Sequence, residues 1–312
     1  MTATALSETD FIDLYLGEDY AEIKGMVGAT RLLIPVPAPL AADVQALRVL
    51  CERQHQESGR NEFSCFHDGR LYRATVSRDL LGRIGLVLRQ TPAVLPDFAL
   101  LPLSTPLRRS VDQPGATGLI LIAGEMGAGK TTSAAAILSR RIAITGNLGV
   151  SIEDPAETLL QGRHGDGRCI QLEVGENEGY ASATRKAYRM GASAFLLGEI
   201  RDGATAHEVL RASLSMFVVS TIHAASIREA LERYVMFCEE ISPGAKANIA
   251  STLYVLAHQK MRVNPANNQR QVDITGFNLR HATTADTIRA KITSGQFNFD
   301  DQFNSITYDF KD

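Results

Sequence analysis

Residues 124–131 read Gly-Glu-Met-Gly-Ala-Gly-Lys-Thr: a glycine, four residues, then glycine, lysine and threonine. This octet restricts the fold more than any other part of the chain. An apolar run, GLILIA, leads into it and TTSAAAILSRRIAI, built of good helix formers, follows, so the octet is expected to turn the chain from a strand into a helix. At an average glycine usage of about 7%, the pattern arises by chance in about one chain of this length in a hundred. The flanking strand and helix make coincidence rarer still. Such glycines let backbone N–H groups close round phosphate oxygens, and the start of the next helix adds partial positive charge. Gly124, Glu125, Met126, Gly127, Ala128 and Gly129 are therefore read as a phosphate cradle. Lys130 is expected on the β and γ phosphates and the Thr131 hydroxyl on Mg²⁺, with Thr132 beside it. The expected ligands are ATP and Mg²⁺; the competing reading is an ordinary glycine-rich turn.

The rest of the C-terminal two thirds supports an α/β fold. After the octet come LGVSIED (strand), SATRKAYRMGA (helix), SAFLLGEI (strand), DGATAHEVLRASL (helix), FVVSTIH (strand) and SIREALERYVMFCEE (helix). Regular alternation predicts βαβ units round a mainly parallel sheet. Beyond about residue 242 the pattern reads as helical through Met261 and again in TADTIRAKITSG, with a strand at QVDITGFNL between them.

Hydrolysis needs acids at the C-terminal ends of neighbouring strands, near the γ-phosphate. Two apolar strands run into acids: LGVSIED leads to Glu153, Asp154 and Glu157, and SAFLLGEI carries Glu199, with Gly198 leaving room beside it. One carboxylate can hold Mg²⁺ through water while another orients the attacking water. For a single acid, helix capping or a solvated turn competes. The strand FVVSTIHAAS ends in Thr221 and His223; a packed or capping histidine competes there with a γ-phosphate sensor.

Pro92, Pro96, Pro102, Pro106 and Pro114 crowd one stretch and disfavour helix, which places a linker at 104–117 between domains at 1–103 and 118–312. Upstream, ADVQALRVLCERQHQES has helical spacing, and FSCFHDGRLYRATVS and RIGLVLRQ read as strands turning at His67-Asp68-Gly69. This is a small α+β module. Lys and Arg total 32 against 35 Asp and Glu, a net charge of −3, so no overall basic field points to nucleic acid or anionic lipid. Cys51, Cys65, Cys169 and Cys238 show no paired metal-ligand spacing and read as buried or free thiols. The first 20 residues carry acids where a signal peptide needs a basic segment, and no apolar run approaches the about 20 residues of a membrane span. A cytoplasmic protein is expected, one able to dock on a membrane complex.

Four blocks, in this order and spacing, resemble the secretion ATPase superfamily, the ring motors of type II and type IV secretion and of type IV pili: GEMGAGKTT, SIEDPAE, AFLLGEIRDGATAHEVLRAS and STIHAASIREALERYV. The resemblance is strongest to the short PilT-like retraction branch and the Dot/Icm-like secretion and conjugation branch. It implies a RecA-like P-loop NTPase domain behind a PAS-like N-terminal domain, assembled as a homohexameric ring at the cytoplasmic face of the inner membrane and acting on a membrane platform or secretion-complex protein. By the same resemblance Glu157 is the catalytic base, Glu199 the Walker B acid near Mg²⁺ and His223 the γ-phosphate sensor, with Glu153 and Asp154 completing the acidic box. YRATVSRDLLGRIGLVLRQTPAVLP is similar to the segment that supplies catalytic arginines, which nominates Arg83 and Arg89 as the free cations, with Arg78 behind them; Arg201, next to Glu199, is expected in an ion pair.

Three departures stand out. The CxxC element of many assembly members is missing, which favours the retraction branch or the conjugation and Dot/Icm-like branch over the assembly ATPases. TIRAKITSGQ only approximates the retraction motif and FIDLYLGEDYAEI does not match it, so retraction stays open against conjugation or effector secretion, with a lean to type IVB secretion or conjugation. A P-loop small-molecule kinase, a DNA translocase on the same core and a non-hydrolysing scaffold are the rival functions.

Overall fold

The computed structural model describes residues 5–92, 94–175, 178–263, 270–299, 301–302 and 307. The chain divides into two compact units: one comprises Met1–Leu95 with Asp154–Leu159 and Gly175–Asn177, the other Pro96–Glu153, Leu160–Val174 and Glu178–Asp312.

In the first unit, strands β1 (Asp13–Leu16), β2 (Ala21–Lys24), β3 (Leu33–Pro35), β4 (Glu62–His67), β5 (Arg70–Arg78) and β6 (Ile84–Gln90) form an antiparallel sheet in the order β3-β2-β1-β6-β5-β4. Helix α1 (Ala41–Ser58) packs Val44, Leu47 and Cys51 into a core with Leu14, Leu16, Ile23, Phe63, Cys65, Leu86 and Leu88. The helix stops at Gly59, whose φ of 70° is left-handed and cheap only for glycine. The expected turn is present: Asp68 (φ 45°) and Gly69 (φ 77°) make the two-residue loop between β4 and β5. Strands β1, β2 and β3 escaped the sequence reading because each is only three or four residues long. Cys51 and Cys65 are both buried, as expected; contact with the Cys65 thiol, reinforced by burial, pushes the Cys51 thiol up.

The second unit is an eight-stranded sheet with helices on both faces. Its strands are β7 (Gly118–Gly124), β8 (Leu148–Glu153), β9 (Gly162–His164), β10 (Gly167–Glu173), β11 (Ala194–Ile200), β12 (Phe217–His223), β13 (Leu253–Val263) and β14 (Arg270–Asn278), in the order β14-β13-β7-β12-β11-β8-β10-β9. All neighbours pair in parallel except the two edge pairs, β13 with β14 and β10 with β9. Every residue of β7 is buried, as a central parallel strand covered on both faces requires. Leu119, Leu121 and Ala123 face the large core containing Val209, Leu210, Leu231 and Tyr234. Ile120 and Ile122 point the other way, among Leu107, Val111 and Ile137. The helices are α2 (Thr105–Asp112), α3 (Lys130–Thr145), α4 (Gly179–Arg189), α5 (Gly203–Ser213), α6 (Ile227–Ile241), α7 (Lys246–Thr252) and α8 (Ala285–Thr293).

Two expectations need correction. The stretch 104–117 is not an extended linker: it holds α2, with Pro106 in the first turn, where its missing N–H costs nothing. Buried side chains tie this helix to the sheet. Arg141 of α3 donates to the carbonyls of Val111, Gln113 and Ala116, the Tyr254 hydroxyl donates to Ser110 O at 3.0 Å, and Asn278 Nδ2 donates to Ser110 Oγ at 2.6 Å. Nor does the helix after residue 242 run through Met261: α7 ends at Thr252 and β13 takes over. The segment LYVLAHQKMRV pairs in parallel with β7 and antiparallel with β14, and these two ladders outweigh its local helical pattern.

Candidate functional site

The octet is the expected strand-to-helix turn. Gly124 ends β7, Gly129 caps α3 with a left-handed φ of 82°, and Lys130 opens the helix. Gly127, between them, has φ 75° and open space where a side chain would stand. Gly124 has none: a Cβ there would lie 2.4 Å from the carbonyl oxygen of Gln259 on β13. The loop thus needs glycine for two reasons, backbone conformation and close approach. Glu125, Met126 and Gly127 are exposed, whereas Ala128 is buried.

Lys130 is buried, and its ammonium donates to the carbonyls of Gly124 and Glu125, both at 3.0 Å. Its Nζ also lies 4.0 Å from the Glu199 carboxylate. Glu199 reaches this place through an irregularity in β11: register with β12 shifts between Leu197 and Glu199. The Ser220 hydroxyl of β12 donates to Leu197 O at 2.5 Å and Gly198 O at 3.2 Å, fixing the bulge. The room beside Gly198 is taken by the Tyr180 hydroxyl, which a Cβ would meet at 2.5 Å. Arg201 Nε donates to the other Glu199 oxygen at 2.8 Å, the ion pair that the sequence led us to expect.

His223 ends β12 directly opposite Gly124 and is exposed, so the sensor candidate and the first loop glycine sit side by side at the C-terminal edge of the sheet. Ala224 N donates to Gly124 O at 3.3 Å. Glu153 ends β8 differently. It is buried, and its carboxylate accepts from the Ser151 hydroxyl and, at 3.0 Å, from Gln171 Nε2 of β10, which ties it into the sheet. Thr131 and Thr132 are half-buried in the first turn of α3.

The remaining candidates fall in the first unit. Glu157 pairs with Arg73 Nη1 of β5 at 2.6 Å, and Asp154 with Arg60 at 3.1 Å. Arg83 and Arg89 are not free, which corrects the expectation. Arg83 Nε is 2.8 Å from Asp79, and Asp79, with Asp19 beside it, holds the guanidinium pKa above its ordinary value. Arg89 Nε is 2.9 Å from the buried Asp13, which raises the Arg89 pKa likewise. Arg78 donates to Gly82 O.

Sequence reasoning missed three residues. Arg73 stands directly across the β5–β6 ladder from Arg89 and carries the ion pair to Glu157. Its signal was present, a charge between the apolar Tyr72 and Ala74 in strand alternation. His258 and Gln259 were hidden by reading β13 as helix. They form a buried polar pair within an apolar strand, and that pattern was their signal. The Gln259 amide donates to Ala128 O at 2.6 Å, and His258 Nε2 is 3.2 Å from Ala224 O. Burial lowers the His258 pKa, so the neutral ring can donate this hydrogen bond through Nε2–H.

The residues fit a magnesium–nucleotide. Two left-handed glycines lead into a helix start, whose first backbone N–H groups have no partner within the helix, the Gly127 position leaves space, and a lysine and a strand-end acid converge beside it. Among the described residues there is no cluster of three His, Cys, Asp or Glu that could hold a metal.

Known proteins share this fold. The solved structure of the ATPase DotB of Legionella pneumophila matches with a TM-score of 0.70 at 18% identity, over 95% of this chain and 84% of that one. The pilus retraction motor PilT, solved with bound ADP, matches with a TM-score of 0.69 at 22% identity, over 92% of this chain and 83% of that one. These likenesses show a common fold, the RecA-like α/β domain preceded by an antiparallel-sheet domain. In sequence, the chain is 32% identical over 157 residues to the type IV pilus ATPase PilU of Pseudomonas aeruginosa, which covers 49% of this chain and 40% of that protein. The chain therefore spans less than half the length of that relative. A family model described as type II/IV secretion system protein matches residues 104–299, well over half the chain and the whole span from α2 to α8, and the chain belongs to that family.

Proposed function

We propose that this chain is an ATP hydrolase that works as a homohexameric ring motor of a type IV secretion, conjugation or pilus system. The observation that carries the reading is the approach of Lys130 and Glu199 at the mouth of a glycine loop, between the ends of β7 and β11. Loop N–H groups and Lys130 bind and orient the β and γ phosphates. Thr131 and Glu199 would hold Mg²⁺, which would supply neutralisation of charge on the phosphate oxygens. Glu157 takes the proton of the attacking water, and His223, beside Gly124, senses the γ-phosphate. Arg83 and Arg89 are the candidates for the arginines of the reaction, and each must exchange an acid partner of its own to serve a phosphate.

The partner is a second copy of this chain in the ring and, beyond it, an inner-membrane platform or secretion-complex protein, with the ring at the cytoplasmic face. No described helix is long and apolar enough to cross a membrane. Identical subunits that supply groups to a neighbour form heterologous contacts, which give a ring where the rotation between neighbours closes. Specific ATPase activity should therefore rise with protein concentration in step with mass measured by light scattering. Full turnover by a monomer, independent of concentration, would remove the ring and leave the nucleotide site.

A further inference from the structure

Strand β13 extends beyond its neighbour β7: pairing between them ends at His258 opposite Ala123, while β13 runs on to Val263. The overhang lies beneath the phosphate loop. Along this strand Val255 and Ala257 face the side of α2 and α3, and Leu256 faces the side of α5 and α6. Alternation then sends Gln259 toward the phosphate loop and His258 toward the loop after β12. The hydrogen bonds agree: Gln259 Nε2 donates to Ala128 O at 2.6 Å, and His258 Nε2 is 3.2 Å from Ala224 O.

We propose that Gln259 is a positioning residue for the phosphate loop, fixing the Ala128–Gly129 peptide so that the N–H groups of Gly129 and Lys130 converge on one phosphate. This rests on the reading of the octet as a nucleotide site. Three contacts reach the loop from the same strand, two of them at Gly129. The Gln259 carbonyl oxygen abuts Gly124, its amide nitrogen lies 3.1 Å from where a Gly129 Cβ would be, and the Met261 methyl lies 3.3 Å from the same point.

The energetics favour a functional reason for the amide. Gln259 is buried, its Nε2 is engaged, and its Oε1 has no hydrogen-bond partner among the described residues. A buried acceptor without a partner is costly, and methionine would fill nearly the same volume without that cost. What methionine lacks is a donor for Ala128 O. Without it the peptide can rotate, and the N–H fan loses its common focus. A loop that must be reordered on binding loses affinity with little change in folding.

The test compares the full-length chain with Gln259→Met and Gln259→Asn. Asparagine keeps the amide and withdraws it by one methylene. MgATP affinity is read by calorimetric titration with a non-hydrolysable ATP analogue, KM and kcat by phosphate release, and folding by thermal melting. Both variants should melt within a few degrees of the unaltered chain and bind the analogue about tenfold or more weakly, with KM raised accordingly. Lower melting temperatures with unchanged affinity would show a merely structural glutamine and overturn the inference. So would unchanged affinity in Gln259→Asn should Gln259→Met fail to fold. If the unaltered chain takes up no MgATP, the nucleotide reading itself fails and takes this inference with it. Tight binding by the unaltered chain and both variants sinks the inference alone.

Discussion

The Lys130 ammonium and the Glu199 carboxylate stand 4.0 Å apart, one from the start of α3 and the other from the end of β11. Glu199 is thus a negative charge beside the lysine assigned to the phosphates, and Arg201 holds its other oxygen. Glu199→Gln should leave ATP affinity unchanged or tighten it, because a charge that repels phosphate disappears. Turnover should fall by about 10²-fold or more, the scale of a lost catalytic carboxylate. Binding and single-turnover measurements separate the two effects; normal turnover removes Glu199 from the chemistry.

Glu157→Gln probes the proposed base. Its carboxylate pairs with Arg73, but both side chains are about one-third exposed, so the pair contributes at most about 1 kcal/mol to folding. Melting should barely move while kcat falls by about 10²–10⁴-fold and ATP affinity holds. A proportional loss of affinity and kcat would assign Glu157 to binding.

Arg89→Ala should act on two quantities. Asp13 is almost fully buried, and Arg89 at 2.9 Å is its nearest cation, with Lys24 at 3.8 Å. Removing the guanidinium strips a buried carboxylate of its better partner, at a cost of about 1–3 kcal/mol. A fall of several degrees in the melting temperature should accompany slower turnover. Arg83→Ala, whose partners Asp79 and Asp19 are exposed, should slow turnover without that loss. An Arg89→Ala protein of unchanged stability would contradict the Asp13 assignment.

His258 gives a pH signature. Burial lowers its pKa below the ordinary value of 6.5, with Lys260 and Lys130 acting in the same direction and the Ala224 carbonyl and Glu125 opposing. As pH falls through 6.5, the unfolded chain takes up a proton that the folded site resists. Stability is therefore retained above 6.5 and lost as pH falls below it, toward the folded-state pKa. Thermal melts between pH 7.5 and 5.5 should show a shallower decline for His258→Gln than for the unaltered chain; identical declines would show that this ring does not titrate on unfolding.

The phosphate loop was legible because one short segment fixes both its conformation and its chemistry: positive φ at Gly127 and Gly129 and a lysine at the helix start are written as adjacent letters. The strands that carry Glu199 and His223 were legible as apolar runs. What the sequence hid is what depends on distant partners. Arg83 and Arg89 read as free until Asp79 and Asp13 were found beside them. The pattern around His258 and Gln259 suits a helix locally, and only pairing with β7 and β14 makes it a strand. Helix α2 sits in a proline-rich stretch, and it took Arg141, Tyr254 and Asn278, remote in sequence, to show why it is held there.

The most direct test of the central claim is phosphate release from ATP by the purified full-length chain with Mg²⁺, with EDTA, and in Lys130→Ala. Lys130 is the buried cation that the fold delivers to the loop, held by the carbonyls of Gly124 and Glu125. Charge stabilisation at transferring phosphoryl groups accounts for factors of about 10³ or more in rate. The unaltered chain should show steady Mg²⁺-dependent hydrolysis, abolished by EDTA and reduced at least about 10³-fold in Lys130→Ala. Hydrolysis by Lys130→Ala at the unaltered rate would contradict the claim.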